Sequence, residues 1–391
     1  MGRDRTRMTT REDAPTQPPR ELIDARMVKL RAALRERQIE ALLINGNENK
    51  GWISAFTTGV FVAPGGAIIV TQNDAAFVTS HVDYEECIHG VPHMTTVPFD
   101  HFTEELHDRV AAVAAQYGIR EINIESPHMS VAEADKYADR FGRHGITLER
   151  GAPVVTALRQ AKDAWEIEQI VEANKVNHRA FTEVLALLKP GMSEWDISAE
   201  LEYRLRKYGT GSARLAFQSI VASGPNSALP HASVTHRRLQ DGDFLKFDFG
   251  ATWNGYHSDC TRTVVIGKAS ERQKAIYNAV LNAQLESIAA ITNGGSCAAV
   301  NQVALDALTK AGFGDYIGHG LGHGIGLQIH EDPRQSVTSK DVYQPGCIVT
   351  VEPGLYVAGW GGVRIEDNIL VTEDGIVNLT LSPKELIEIG A

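Results

Sequence analysis

The sequence predicts a mixed protein, α/β in its amino-terminal part and α+β beyond it. Three observations carry this. Helical and strand patterns alternate up to about residue 150. The order helix, helix, strand, strand then occurs twice between residues 165 and 391, a weak internal duplication. A length of 391 residues suits two domains. The expected organisation is a disordered tail over 1–19, a first domain over 20–155 and a second over 160–391.

The opening stretch, MGRDRTRMTTREDAPTQPPR, is charged and rich in Pro and Thr, without the apolar centre of a signal peptide. Over 21–38, Ile23, Met27, Leu30 and Leu34 recur at helical spacing. EALLING reads as a buried strand, and GGAIIVTQNDAAFVTS as a hairpin turning at QND. AAVAAQYG is helical, EINIE is a strand, and ADKYADRFGRHG is a helix ending near Gly145. The pattern shifts over 158–168. A long helix follows through Leu188 and stops at Lys189-Pro190-Gly191. Ser193 caps the next helix, with Asp196 as its box partner. LKFDFGATW and TRTVVIG read as strands flanking the turn NGYHSD. Helices at 270–292 and 298–312 lead to two more strand runs, CIVTVEPGLYV and GVRIEDNILVTEDG.

A formal net charge of −11 argues against nucleic acid as a partner, because phosphate binding needs a basic surface. Cys87, Cys260, Cys297 and Cys347 are scattered without a CxxC, which reads as reduced thiols in a cytoplasmic protein. No run of about eighteen apolar residues occurs, so no membrane span is expected.

Chemistry concentrates in five phrases of the second domain: FDFGA, SDCTRT, HGLGHGIG, VEPG and VRIED. They carry Asp248, Asp259, His323, Glu352 and Glu366. One imidazole and four carboxylates suit a pair of hard-to-borderline divalent ions, and two such ions sharing a hydroxide would hydrolyse an amide. Taken alone, Asp248 could be a turn acid and Asp259 a cap. Yet an ionised carboxylate amid the apolar residues of a strand is costly unless it is paired or on a metal, and Glu352 and Glu366 lie in such runs too. Cys260 and Asp367 adjoin proposed ligands and should face the opposite way. His319 and His323 have the interval of a zincin helix but no Glu between them, and the surrounding glycines oppose a helix. Arg364 is expected to partner Glu352 or Glu366.

These five phrases, in this order, resemble the "pita-bread" metallopeptidases: methionine aminopeptidase, Xaa-Pro aminopeptidase and Xaa-Pro dipeptidase (prolidase), with creatinase as a metal-free relative. The likeness is strong over 160–391. Residues 20–155 look more faintly like the amino-terminal domain of the creatinase and Xaa-Pro branch. His319, Arg364 and the stretch IVASGPNSALPHA, which holds His231, favour the Xaa-Pro branch. The resemblance implies two divalent ions, Mn²⁺ first and Co²⁺, Zn²⁺ or Fe²⁺ as alternatives. Asp259 and Glu366 would bridge them, with Asp248 on one and His323 and Glu352 on the other. It further implies that Glu352 shuttles a proton, that His231 and His330 donate hydrogen bonds to the substrate, and that His319 lines a proline pocket. Arg364 would position Glu366 or bind a substrate carboxylate. Tyr356 reads as packing. The partners implied are short proline-containing peptides and a second copy of the chain in a homodimer. Trp52, Phe61 and His93 could reach a site from the first domain, with packing as their default.

The scaffold also carries creatinase-, ectoine hydrolase- and sulfonium lyase-like relatives, so fold alone does not settle the substrate. A binding protein with a degenerate site would not need all five ligand positions filled.

Overall fold

The computed structural model describes residues 17–56, 65–151, 153–189, 191–210 and 215–390. Residues 1–16 of the expected tail lie outside them, as does Phe61. One compact unit ends at Arg159 and the other begins at Gln160.

The first unit runs α1 (Arg20–Glu36), β1 (Ala41–Ile44), α2 (Asn47–Ser54), β2 (Gly66–Thr71), β3 (Ala75–Ser80), α3 (His81–Gly90), β4 (Thr95–Phe99), α4 (Leu106–Gln116), β5 (Glu121–Glu125), α5 (Val131–Gly142), β6 (Thr147–Gly151) and α6 (Val154–Arg159). Its six strands form one sheet in the order β4-β3-β2-β1-β5-β6. The QND turn joins β2 to β3, and Thr71 Oγ1 accepts the amides of Asn73 and Asp74 at 3.2 and 2.8 Å. Two local readings shift. Helix α5 stops at Gly142, before Gly145. On α1, Ile23, Leu30 and Leu34 are buried, but Arg26 rather than Met27 completes the inner face. The Arg26 guanidinium donates to the Trp52 carbonyl at 2.9 Å and lies 5.4 Å from the Trp52 ring centroid, so its buried charge is partly compensated by that residue.

The second unit runs α7 (Ala164–Leu185), α8 (Glu194–Tyr208), β7 (Ile220–Ser223), β8 (Phe244–Phe249), β9 (Thr252–Trp253), β10 (Tyr256–His257), β11 (Cys260–Ile266), α9 (Glu271–Ala290), α10 (Cys297–Lys310), β12 (Gly322–Gly324), β13 (Glu331–Gln335), β14 (Ile348–Val351), β15 (Gly354–Val357), β16 (Gly361–Arg364), β17 (Asp367–Val371), β18 (Ile376–Asn378) and β19 (Glu388–Ile389). Helices α7, α8 and α9 open with capping boxes, including the expected Ser193–Asp196 pair. The sheets are ordered β19-β11-β8-β7 and β13-β12-β14-β17-β18. Two antiparallel triplets, β7-β8-β11 and β12-β14-β17, each follow a pair of helices, so the repeated order seen in the sequence is a repeated architecture.

Strand alternation decides what each triplet turns toward its helices. In FLKFDF, Leu245, Phe247 and Phe249 join the core with Phe181 of α7, whose ring meets Phe247 edge-on at 5.4 Å. Lys246 and Asp248 are left on the opposite face. The chain then makes a two-residue hairpin turn between β9 and β10, with Asn254 at φ 48° and Gly255 at φ 84°. Asn-Gly favours this left-handed pair of residues. The Asn254 carboxamide is held at both ends: its nitrogen donates to Gln169 Oε1 at 2.9 Å and its oxygen accepts from Thr210 Oγ1 at 3.1 Å. The return strand places Thr261 opposite Asp248. Among the described residues no helix is long and apolar enough to cross a membrane.

Candidate metal centre

Each of the five acids and imidazoles sits on or beside a strand of the two triplets. Asp248 is on β8, Asp259 immediately precedes β11, His323 is on β12, Glu352 follows β14 and Glu366 precedes β17. His231 comes from the turn after β7, His319 and His330 flank β12, and Arg364 ends β16. All nine line one cavity of about 430 Å³ within the second unit. Phe217, Ile220 and Ile329 give it an apolar wall, and Arg334 adds a positive charge. Trp52 is buried in the first unit, and His93 there has Nε2 3.4 Å from the Ile53 carbonyl.

At the centre, one ligand atom each from Asp259, His323 and Glu366 lies within 4.8 Å of the others. His323 Nε2 is 3.7 Å from Asp259 Oδ2 and 3.4 Å from Glu352 Oε1. His323 Nδ1 faces the Gly324 carbonyl at 3.0 Å. A carbonyl only accepts, so Nδ1 carries the proton and Nε2 turns its lone pair toward the acids. Burial, with the neighbouring His330, pushes the His323 imidazole down to about 3, so it is neutral, as a metal ligand must be. Backbone crowds close to this strand: a side chain at Gly324 would meet the Asp332 carbonyl at 2.4 Å.

The acids are under electrostatic stress. Burial raises Asp259 well above the usual carboxylate range, and Glu366 beside it raises it further. Burial likewise raises Glu366, helped by Glu352 and Asp248. Glu352 is pushed up to about 7 by burial, against the pull of Arg364. Asp259 Oδ1 and Glu366 Oε1 are buried with no hydrogen-bond partner among the described residues. Buried charges are normally paired or on metals. Two orphaned carboxylate oxygens beside a neutral imidazole lone pair therefore fit divalent cations, and the oxygen-rich donor set suits a hard-to-borderline ion.

A second layer aims these groups. Thr261 Oγ1 donates to Glu366 Oε2 at 2.7 Å, Thr350 Oγ1 to Glu352 Oε1 at 3.0 Å, and the Asp259 amide to Asn368 Oδ1 at 3.1 Å. Arg364 hydrogen-bonds Asp248 directly. It also forms an ion pair with Glu352, one of the two acids the sequence suggested, at 3.9 Å. Arg364 also donates to Thr261 Oγ1 at 2.9 Å and to the Tyr356 hydroxyl at 2.9 Å. Tyr356 is thus more than packing. Gly320 O at 2.7 Å fixes the His319 proton on Nδ1, so His319 Nε2 accepts from the Tyr356 hydroxyl at 2.7 Å. With both ring nitrogens engaged, and the ring held neutral by burial and Arg364 at about 4, His319 offers the cavity carbon rather than a donor.

Sequence reading missed Thr261, Thr350, Asn368, Lys246 and the role of Tyr356. Strand periodicity held one usable signal, since Lys246 lies two residues before Asp248 and must share its face. Burial pushes the Lys246 amine down to about 6.

Comparison with known proteins gives the same picture. The model of the metallopeptidase family M24 matches residues 168–373, and that of the creatinase/prolidase N-terminal domain matches 26–161. The Xaa-Pro dipeptidase of Pyrococcus horikoshii is 32% identical over 94% of this chain and 100% of its own length. The structure of an Xaa-Pro dipeptidase from Bacillus anthracis superposes with a TM-score of 0.87 at 35% identity, over 94% of this chain and 99% of that one. An X-Pro aminopeptidase from Thermotoga maritima gives a TM-score of 0.82 at 30% identity, over 92% and 100%. The strands that bring the acids together and the matches across both units lead to one assignment: the chain belongs to metallopeptidase family M24, with a creatinase/prolidase amino-terminal domain ahead of its catalytic domain.

Proposed function

We propose that the chain is a two-metal exopeptidase that hydrolyses the Xaa-Pro bond of dipeptides and short peptides, with Mn²⁺ as its working ion. The observation that carries this reading is the pair of buried, unpartnered oxygens on Asp259 and Glu366 beside the neutral His323. In it, Asp248, Asp259, His323, Glu352 and Glu366 would hold the ions. Bound there, divalent ions supply Lewis-acid polarisation of a carbonyl oxygen and make water more acidic.

The side chains do the rest. Glu352, oriented by Thr350, takes a proton from the attacking water and delivers it to the leaving nitrogen. His231 and His330 face the cavity and donate hydrogen bonds to the oxygen of the scissile carbonyl and to the substrate backbone. His319, with its nitrogens engaged, walls the proline ring together with the apolar side chains. Arg364 fixes Asp248 and, through Thr261, Glu366. Arg334 offers a counter-charge for the free carboxylate of a dipeptide. A dedicated pocket makes sense for this bond, because the tertiary amide before proline has no N–H for a general peptidase to grip.

The test is hydrolysis of Ala-Pro and Ala-Pro-Ala by protein dialysed free of metal and then given Mn²⁺. Metal-dependent release of alanine from both is expected. Metal-loaded protein that leaves both intact while turning over creatine or ectoine would overturn the reading.

A further inference from the structure

Lys246 is fully buried at the centre of β8, paired with β7 at Ala222 and with β11 at Thr263. A buried lysine is expensive to maintain, and it is normally found against a carboxylate. Lys246 forms no ion pair among the described residues. Its Nζ donates to two backbone carbonyls, Leu229 at 2.6 Å and Pro230 at 3.2 Å, and lies 5.0 Å from the Tyr356 ring centroid. Arg364 donates to the same Pro230 carbonyl at 3.2 Å. The next residue in the chain is His231, in a turn that belongs to no helix or strand.

The geometry points to Lys246 as a positioning residue that clamps the Leu229–Pro230 backbone and so sets where His231 stands in the cavity. Two features argue for a dedicated clamp rather than incidental filling. Both donations need only two N–H bonds, which the ammonium and the free amine each have. And Arg364, bonded to Asp248, grips the same carbonyl, so the His231 turn is tied to the strand face that carries the acids. An apolar side chain would fill the space at lower cost but would leave the Leu229 carbonyl without this donor and the Pro230 carbonyl to Arg364 alone. The inference rests on the reading of His231 as a substrate donor, and its test has an arm that does not depend on that reading.

In the metal-loaded full-length protein, hydrogen–deuterium exchange of the peptide spanning 226–236 should speed up at least roughly tenfold in Lys246→Met, with peptides carrying Asp259 and Glu366 unchanged. Lys246→Gln, which keeps a donor on a shorter arm, should fall between. Bound Mn²⁺ should stay at the wild-type level in both variants. On Ala-Pro, Lys246→Met should lower kcat/KM by roughly a hundredfold, the scale of a misplaced group. In a His231→Ala background the same substitution should then cost less than about twofold, because the residue it positions is gone. Unchanged exchange over 226–236, loss of metal, or full multiplication of the two kinetic effects would each overturn the assignment. If wild type cleaves no Xaa-Pro substrate, the proposed function falls, and the exchange arm still decides the clamp.

Discussion

Glu366 and Asp367 are neighbours in the chain, both buried, and their surroundings could hardly differ more. Glu366 faces the cavity, where burial and further acids outweigh the pull of Arg364, and its carboxyl is pushed well up. Asp367 faces the other way and meets Arg262 at 2.7 Å and Lys384. Burial alone would raise Asp367, but the two cations outweigh it and hold the group below its ordinary value. One side of the strand supplies its full counter-charge from within the chain; the other gathers more carboxylates than Arg364 can match and, among the described residues, leaves two oxygens bare. The cavity acids are thus arranged for more positive charge than the polypeptide brings to them.

The sharpest way to break this contrast is Asp259→Asn. It should abolish bound Mn²⁺ and lower Xaa-Pro hydrolysis by roughly 10⁴-fold, about 5.4 kcal/mol. The metal-free variant should be no less stable than metal-free wild type at neutral pH, since a strained buried acid has been removed. An active, metal-loaded Asp259→Asn would refute the ligand assignment.

Asp367→Asn probes the opposite face. It leaves two cations without their carboxylate, and breaking a buried pair in this way costs about 3–5 kcal/mol. Denaturant unfolding should show that loss with and without metal. A loss confined to the metal-loaded form would place Asp367 in the wrong class.

The mildest effect separates the two faces by pH. Asp259, Glu352 and Glu366 hold their protons more tightly in the folded state, so folding without metal takes up protons. Metal-free stability should therefore decline as pH rises from the ordinary glutamate value of 4.5 through about 7. Asp367 works in the other direction: its contribution is complete above 3.8 and fades as pH falls below it. Mn²⁺ at about 100 times its Kd should add about 2.7 kcal/mol and flatten the neutral-pH decline. Thermal unfolding of both forms across pH checks this, and a metal-free protein that gains stability up to neutral pH would contradict it.

The repeated architecture was legible because its signals are local: helix caps such as Ser193, the Asn-Gly turn, and alternation in FLKFDF. Alternation also separated Glu366 from Asp367 and turned Cys260 into the core. What escaped depends on strands far apart in sequence. Arg364 finds Asp248 across more than a hundred residues, and Tyr356 joins His319 to Arg364. Periodicity tells which face a side chain takes but not which remote neighbour shares it. Arg26 in place of Met27 has the same cause, since the Trp52 carbonyl and ring, 26 residues away in the chain, help make burial of that guanidinium acceptable.

The hairpin at Asn254–Gly255 has a consequence for the ageing of the protein. Asn-Gly is the dipeptide most prone to deamidate, because the glycine amide can attack the side-chain carbonyl and close a succinimide. Here the carboxamide is pinned by Gln169 and Thr210, so ring closure must wait for that turn to open. When it does close, the isoaspartate product lengthens the main chain by one carbon a few residues before Asp259. The same short turn that brings two acids together thus also sets a chemical clock on the centre they form.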